Sequence, residues 1–599
     1  MKLVVPRTGE PQPSDARLIR LAEYLGIACE LVSVEKLLHA APAETGSRAQ
    51  AECLVVNPWV LKESTGGVLR EDFALRLASR FPHLLIHAFT PDPFCDRLVK
   101  ALCGSETASV RRIAGSGEPY EIGPNTRDLC GPFSGLSLGP ASAANDYVFS
   151  LGPASDAVRA AICIGGSPFM AVAKRETAEM LFLGSADTWD IDREAGDLPM
   201  SEYFSRFVPQ AMALRYIFRE ECWHPLENFA SFILDDPLLQ PKYGYLDFGS
   251  LLNLMKEYDF ATTVAFIPHN YRRSSRRTVE MFRRNSDRLA ICFHGNDHTA
   301  GEFVSADSDR LNTMLRIAEA RMSFHAHATA LRCPKVMVFP HDDFSVEALR
   351  VLKSRSFLAA VNGPPHPAGR RVNLTLRELA QPAILRHGEF PLFPRTNAEY
   401  ARKQDIAFGL FFGRPAFIAG HHDVFKRPAA LIEAVLMINS IAPGIRWCGL
   451  EMAIINSALR RKTPDGAYSV RAYSSAVRLA NDRDSMQRFA VEWKHSVECP
   501  PVDHILRDGV PDRSFQVEGS AVRLSADLDP HSSVTVSVIY RNDFASQERL
   551  GFRWDAKALI RRRLSEVRDK YVSKNRYALG LHGRVRHWLL ARRGPSARQ

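Results

Sequence analysis

Apolar and polar positions alternate along this chain on two scales. Over residues 1 to 105, short apolar runs (KLVV, CELVSV, CLVV, HLLIHAF) are separated by stretches with helical spacing (ARLIRLAEYLGI, EDFALRLASRF, DRLVKALC). That strand-helix alternation predicts an α/β sheet domain of Rossmann-like type. From 106 to 195 the runs become strand-like only (TASVRRIAG, YVFSL, AAICIGG, FMAVAKR, EMLFLG), with Gly, Pro, Ser and Asp between them. Residues 1–195 therefore read as one α/β domain with a β-rich extension. The segment SEYFSRFVPQAMALRYIFREECW has helical periodicity and predicts a helical linker over 196–227.

Strand-helix alternation returns over 228–460, with runs at ASFIL, ATTVAFI, RLAICF, KVMVF, FLAAV and AFIAG and amphipathic stretches such as FGSLLNLMKEY and RLNTMLRIAEARMSFHAHA between them. Repeated units on this scale predict a (β/α) barrel, incomplete or distorted, with its chemistry at the carboxyl ends of the strands. Residues 465–550 alternate with period two between turn signals and predict a small β-sandwich. Residues 555–599 are helical by propensity. The expected fold class is therefore α/β multidomain, with a sandwich and a basic helical tail after the barrel.

The length of 599 residues agrees with several domains, and 46% apolar with 24% charged residues excludes wholesale disorder. Eleven cysteines without a C-x-x-C pair suit neither a disulfide framework nor a four-thiolate zinc site. A reducing, cytoplasmic setting is expected, since no export signal is visible near the start. The most apolar stretch, IAFGLFFGRPAFIAGHHD, is interrupted by Arg414 and Pro415, so no membrane span is expected. The net charge of +10 has one source: from Asp555 to Gln599 there are thirteen Lys and Arg against three acids, leaving a neutral body. Nucleic-acid binding by the whole fold is not expected. Leu559, Ile560, Leu564, Trp588 and their neighbours lie among the basic residues of the tail, which suits peripheral attachment to an anionic inner-membrane face.

Candidate chemistry falls at strand ends in the middle of the chain. FILDDP places Asp235 and Asp236 after one apolar run, AICFHGNDHT places His294 and His298 after another, and FIAGHHD places His421, His422 and Asp423 after a third. Three strands thus deliver carboxylate and imidazole to one face, ligand types preferred by zinc and its first-row neighbours. An Asp-Asp-Pro sequence alone is often only a turn, and His-Gly-Asn-Asp-His lacks the Glu of the zinc-protease helix motif. The three together are harder to explain as turns.

In this arrangement the chain resembles the polysaccharide deacetylase family of metal-dependent carbohydrate esterases, over residues 225–460. The resemblance implies a divalent metal, most often Zn2+, held by Asp236, His294 and His298. It implies Asp235 as catalytic base and His421 or His422 as catalytic acid, with His421 favoured because it directly ends FIAG. The implied substrate is an acetylated sugar or polysaccharide, most simply an N-acetyl group. The family's third motif, an Arg-x-Pro with a following aromatic, should fall at VMVFPHDDFS, where only Pro340 matches and His341, Asp342 and Asp343 fill the rest. The arginine that tunes the base must then come from elsewhere, for example Arg395 in LFPRT. With that motif altered, a catalytically silent glycan-binding barrel in polysaccharide assembly is one alternative, and hydrolysis of cyclic amides on a related barrel is another. Gly135 to Gly139 (GLSLG) matches the serine-esterase elbow pattern but is flanked by Pro132 and Pro140, and CIGGSPF from Cys163 lacks the lysine of a phosphate loop. The first reads as coil and the second as a turn.

Overall fold

The computed structural model of the protein describes residues 1–39, 52–69, 73–90, 92–113, 115, 117–142, 144–151, 158–175, 177–196 and 198–542, with 560, 563, 564 and 566 beyond them. The predicted basic helix of the tail, and with it the expected membrane contact, lies outside the described residues except for those four. One of them, Glu566, pairs with Arg273.

The chain is an α/β protein with a parallel sheet at its middle and further sheets on either side. In the first part, four parallel strands (Lys2–Arg7, Ala28–Ser33, Glu52–Val56 and His83–Ile86) form one end of a nine-stranded sheet. Helices such as Pro13–Tyr24 and Pro93–Cys103 connect or follow them. The strand-only stretch continues this sheet: Ala178–Leu183 pairs in parallel with His83–Ile86, and Ser167–Arg175 and Val158–Ile164 follow antiparallel. The two motifs set aside above, the coil and the turn, lie here. Gly165 and Gly166, both with positive φ, turn the hairpin between Val158–Ile164 and Ser167–Arg175. Ser137 begins a two-residue strand that pairs with Tyr120–Ile122, so no helix follows it as an esterase elbow requires.

Helix Phe204–Phe218 is buried along most of its length and joins the first sheet to the middle one. Phe207 stacks on Phe412 with centroids 5.5 Å apart, and Arg215 lies 4.5 Å over the Phe411 ring while donating to the Trp223 carbonyl at 3.2 Å. Each such aromatic side chain, fully buried, contributes about 1.5–3 kcal/mol. The segment read as a linker is therefore a packed wedge.

The middle sheet contains β1 (Phe229–Asp235), β2 (Thr262–Phe266), β3 (Leu289–Phe293), β4 (Val336–Val338), β5 (Ala359–Asn362), β6 (Leu392–Pro394), β7 (Thr396–Asn397), β8 (Ala416–Gly420) and β9 (Arg446–Trp447). Every pairing is parallel, in the order β6-β5-β4-β3-β2-β1-β8-β7, with β9 also on β1. β1, β2 and β8 are buried at every position, which explains their continuous apolar runs. The two ends of this order, β6 and β7, are consecutive in the chain and separated only by Arg395. One bent segment, Leu392 to Asn397, thus joins both ends of the sheet.

The nine strands from Leu459 to Tyr540, with one earlier strand, form two further sheets of six and four strands. The larger takes in His224–Pro225 from the other side of the middle sheet. Gln487–Lys494 and Ala521–Leu528 alternate buried and exposed positions. Their inward residues, Phe489, Val491, Trp493, Val522 and Leu524, meet Val477, Ile505, Val536 and Val538 of the smaller sheet in one apolar cluster.

Candidate active site

The carboxyl ends of β1, β3 and β8 bring the predicted residues to one place. Asp235 is the last residue of β1, and Asp236 follows with φ of +79°, a left-handed turn that aims the two neighbouring carboxylates differently. Asp236 faces the histidines. Its Oδ1 lies 3.0 Å from His298 Nε2 and 3.5 Å from His294 Nε2. These distances do not make hydrogen bonds of good geometry, because Asp236 Oδ1 is buried with no hydrogen-bond partner. One donor atom each from Asp236, His294 and His298 lies within 4.8 Å of the others, which makes this group a candidate cation site. His294 Nδ1 is 2.9 Å from the Val338 carbonyl, a contact that requires the proton on Nδ1 and leaves the Nε2 lone pair for the site. The donor set and the orphaned oxygen fit a divalent cation with an open position.

The loop between the two histidines is shaped from below. Glu302 is buried and accepts from the backbone N–H groups of Asn296 (3.2 Å), Asp297 (2.7 Å) and His298 (3.2 Å). Burial pushes its carboxyl up to about 7 although those three donors oppose it. Gly295, with φ of +66°, leaves room for this carboxylate: a Cβ there would come within 2.4 Å of Glu302 Oε2 and 2.5 Å of Pro340 Cγ. His298 itself has φ of +56°. With His341 at +59° and Asp342 at +58°, strained backbone of order 1–3 kcal/mol per residue gathers around this site.

Asp235 points elsewhere. Arg395 Nη1 donates to Asp235 Oδ1 at 2.9 Å and lies 2.8 Å from its Oδ2, and Nη2 donates to Asp342 Oδ1 at 3.0 Å. Burial alone would raise the Asp235 carboxyl, but Arg395, with His294 and His421 behind it, holds it below the ordinary value. Arg395 stands at the corner between β6 and β7, where its own N–H donates to the Asn362 carbonyl. The bent segment thus brings a guanidinium to the carboxylate that ends β1. Asp342 holds the other side of the guanidinium. The His341 ring lies edge-on to His298 with centroids 4.6 Å apart. No spacing in the sequence predicts this last contact.

The two late histidines separate. His421 Nε2 reaches to 4.0 Å from Asp236 Oδ2 with its side chain more than half exposed. His422 is buried beneath a tight turn: its ring lies 5.5 Å from Tyr243 and 6.2 Å from Tyr245, and a Cβ on Gly244 would come within 2.3 Å of its Nδ1. Of these two, His421 is the one that borders the Asp236 cluster.

For Asp236, burial would raise the carboxyl, yet the two histidines bring it well below its usual value. Burial lowers His294, but Asp235 and Asp236 raise it above its ordinary value overall. A cation at this site therefore competes with a proton for His294.

No family model matches the chain, and no curated protein does. Twenty-six chains among solved structures match. Agd3, described as a novel carbohydrate deacetylase, aligns over 90% of this chain and 98% of its own, at 10% identity and a TM-score of 0.45. A family 4 acetyl xylan esterase from Clostridium thermocellum, solved with a cobalt ion, aligns over 38% of this chain and 90% of its own (16% identity, TM-score 0.23). A peptidoglycan N-acetylglucosamine deacetylase aligns over 39% and 90% (12% identity, TM-score 0.25). At these identities and scores, none of them says what this chain acts on. In structure the chain is similar to carbohydrate deacetylases, along most of its length in one case and over little more than a third in the others.

Proposed function

We propose that the protein is a metal-dependent hydrolase that removes acetyl groups, N-linked in the first instance, from a sugar or polysaccharide, on an incomplete (β/α) barrel. The observation that carries this reading is the convergence of the buried Asp236 Oδ1 with the Nε2 atoms of His294 and His298. Asp236, His294 and His298 would hold the cation, with zinc favoured by the Asp-His-His donor set. When bound, it supplies Lewis acidity to an acyl oxygen and acidity to a water molecule.

The protein's own groups do the rest. Asp235, kept ionised by Arg395, accepts the proton of an attacking water. Arg395 also fixes the orientation of that carboxylate, since it contacts both oxygens. His421, at the open side of the site, donates a proton to the departing amine or alkoxide; His422, packed under Tyr243 and Tyr245, only supports the turn. His294 keeps its tautomer through Val338. The reading is tested by measuring bound metal and acetate release on one purified sample, with N-acetylated and O-acetylated oligosaccharides offered separately. Stoichiometric metal with acetate release from an N-acetylated sugar is the expected result. Metal-free protein that still releases acetate would overturn it.

A further inference from the structure

Away from the candidate active site, an amine, a thiol and a carboxylate meet where the middle sheet's helix layer touches the C-terminal strands. Lys353, near the end of helix Val346–Ser354, is 2% exposed, and Cys499, in the loop after Gln487–Lys494, is 8% exposed. Lys353 Nζ is only 2.8 Å from Cys499 Sγ, and it also donates to the carbonyls of Gly388 (3.1 Å) and Glu389 (3.3 Å). The thiol in turn is 3.2 Å from Glu389 Oε2. So sulfur has an N–H on one side and a carboxylate able to take its proton on the other. The Tyr540 ring covers the amine at 5.0 Å. None of these groups serves the proposed deacetylation.

We propose that Lys353 and Cys499 form a reversible covalent crosslink when the protein meets a peroxide. In the first step, hydrogen peroxide oxidises sulfur. The thiol proton passes to the leaving oxygen, the O–O bond breaks, an S–O bond forms and one water departs, leaving Cys499 as a sulfenic acid. A neutral Lys353 Nζ then forms an N–S bond as the S–O bond breaks, and the departing hydroxide leaves with an amine proton as a second water. The product is a sulfenamide, the known fate of a sulfenic acid beside a nitrogen nucleophile.

Geometry favours the second step over further oxidation. Reacting atoms held at about 3–3.5 Å already count as a near-attack arrangement, and here the contact is shorter. Burial lowers the Lys353 ammonium from its ordinary value, against the opposing pull of Cys499 and Glu389, which makes the neutral amine more accessible. A small cavity lined by Lys353, Glu389 and Tyr540 lies beside the amine, and on the thiol side Val497, two residues before Cys499, is fully exposed. The bond would tie together positions 146 residues apart in the chain. It would also fasten the Gly388–Glu389 turn, which leads directly into β6 and Arg395.

The test uses the full-length protein treated with hydrogen peroxide, capped with iodoacetamide, digested without reductant and analysed by mass spectrometry. The expected product joins the peptides containing Lys353 and Cys499, is lighter than their sum by two hydrogens, and disappears after dithiothreitol. It should be absent from Lys353→Arg, which keeps the charge but removes the nucleophile, and from Cys499→Ser. Cys499 found as sulfinic or sulfonic acid with Lys353 unmodified would overturn the proposal. So would a Cys499 that stays alkylatable while the more exposed Cys103 and Cys163 are oxidised. If Lys353→Arg does not fold, the wild-type digest and Cys499→Ser decide between these outcomes.

Discussion

The parallel strands of two sheets in this molecule gather histidine and carboxylate at their ends, and the two sheets do opposite things with them. In the first sheet, His87 follows the strand His83–Ile86, Asn57 follows Glu52–Val56, and Asp15 sits in the first turn of helix Pro13–Tyr24. His87 Nε2 is 2.8 Å from Asp15 Oδ1, to which Asn57 Nδ2 also donates at 3.0 Å, and all three residues are at most 3% exposed. These side chains are sealed from solvent and converge on Asp15 Oδ1, while Asp15 Oδ2 and His87 Nδ1 are buried without a hydrogen-bond partner. In the middle sheet, Asp236, His294 and His298 crowd around a common point without pairing well, and His421 opens the cluster to solvent. A sealed hydrogen-bonded group holds a fold together; three ligand atoms converging beside an exposed edge are what a cation needs.

The largest effect expected of this difference is on metal. His298→Ala should lose most of the bound metal and, with it, essentially all acetate release. Elemental analysis of the purified variant checks this, and undiminished metal would remove the middle cluster from consideration as a site. Next in size, Asp235→Asn should keep its metal while turnover falls by about 10²–10⁴-fold, the usual scale for a lost general base. Metal lost together with turnover would mean that Asp235 and Asp236 have exchanged roles.

Apparent metal affinity should also depend on pH in a defined direction. His294 lies above its ordinary value of 6.5 in the metal-free site. Binding is therefore complete above that raised value and weakens as pH falls through it, by about tenfold per unit for one displaced proton. Competition with a chelating dye across this range measures it; a flat profile would exclude displacement of a His294 proton. A smaller change is expected from Arg395→Met. It removes the cation that outweighs burial at Asp235, so the carboxyl rises and the acidic limb of kcat/KM moves to higher pH. An unmoved limb with unchanged metal would deny Arg395 its influence on the base.

The smallest functional effect should come from the other sheet. His87→Ala leaves a buried carboxylate short of a partner, at a cost of about 1–3 kcal/mol, seen as an earlier first transition on thermal unfolding. Metal content and acetate release should match the wild type, and a loss of either would erase the contrast between the two clusters.

Much of the candidate site was legible in the sequence because each part of it is contiguous. Asp235-Asp236, His294 to His298 and His421-His422 all follow apolar runs long enough to mark a strand. The parallel sheet was legible for the same reason, in the unbroken apolar runs of strands buried on both faces. What periodicity does not record is how distant segments meet. Arg395 was only one candidate partner for the base, since its contact with Asp235 depends on a bend that lets one segment pair with β5 on one side and β8 on the other. The burial of His422 depends on Gly244 and its flanking tyrosines, and the Lys353–Cys499 contact on the docking of a loop 146 residues away. The helix Phe204–Phe218 was legible as a helix, but its role as a wedge rests on Phe408, Phe411 and Phe412, which come far later in the chain.

The bend at Arg395 is also a clasp, and a clasp can loosen. Its backbone N–H secures the corner on Asn362 while its guanidinium governs Asp235, so any breathing of the sheet at this corner carries the guanidinium away from the carboxylate. The proton affinity of the base is then a reading of how often the clasp is shut. Conditions that speed amide exchange at Arg395 should raise the pKa of Asp235 in step, making local stability and basicity one property observed in two ways.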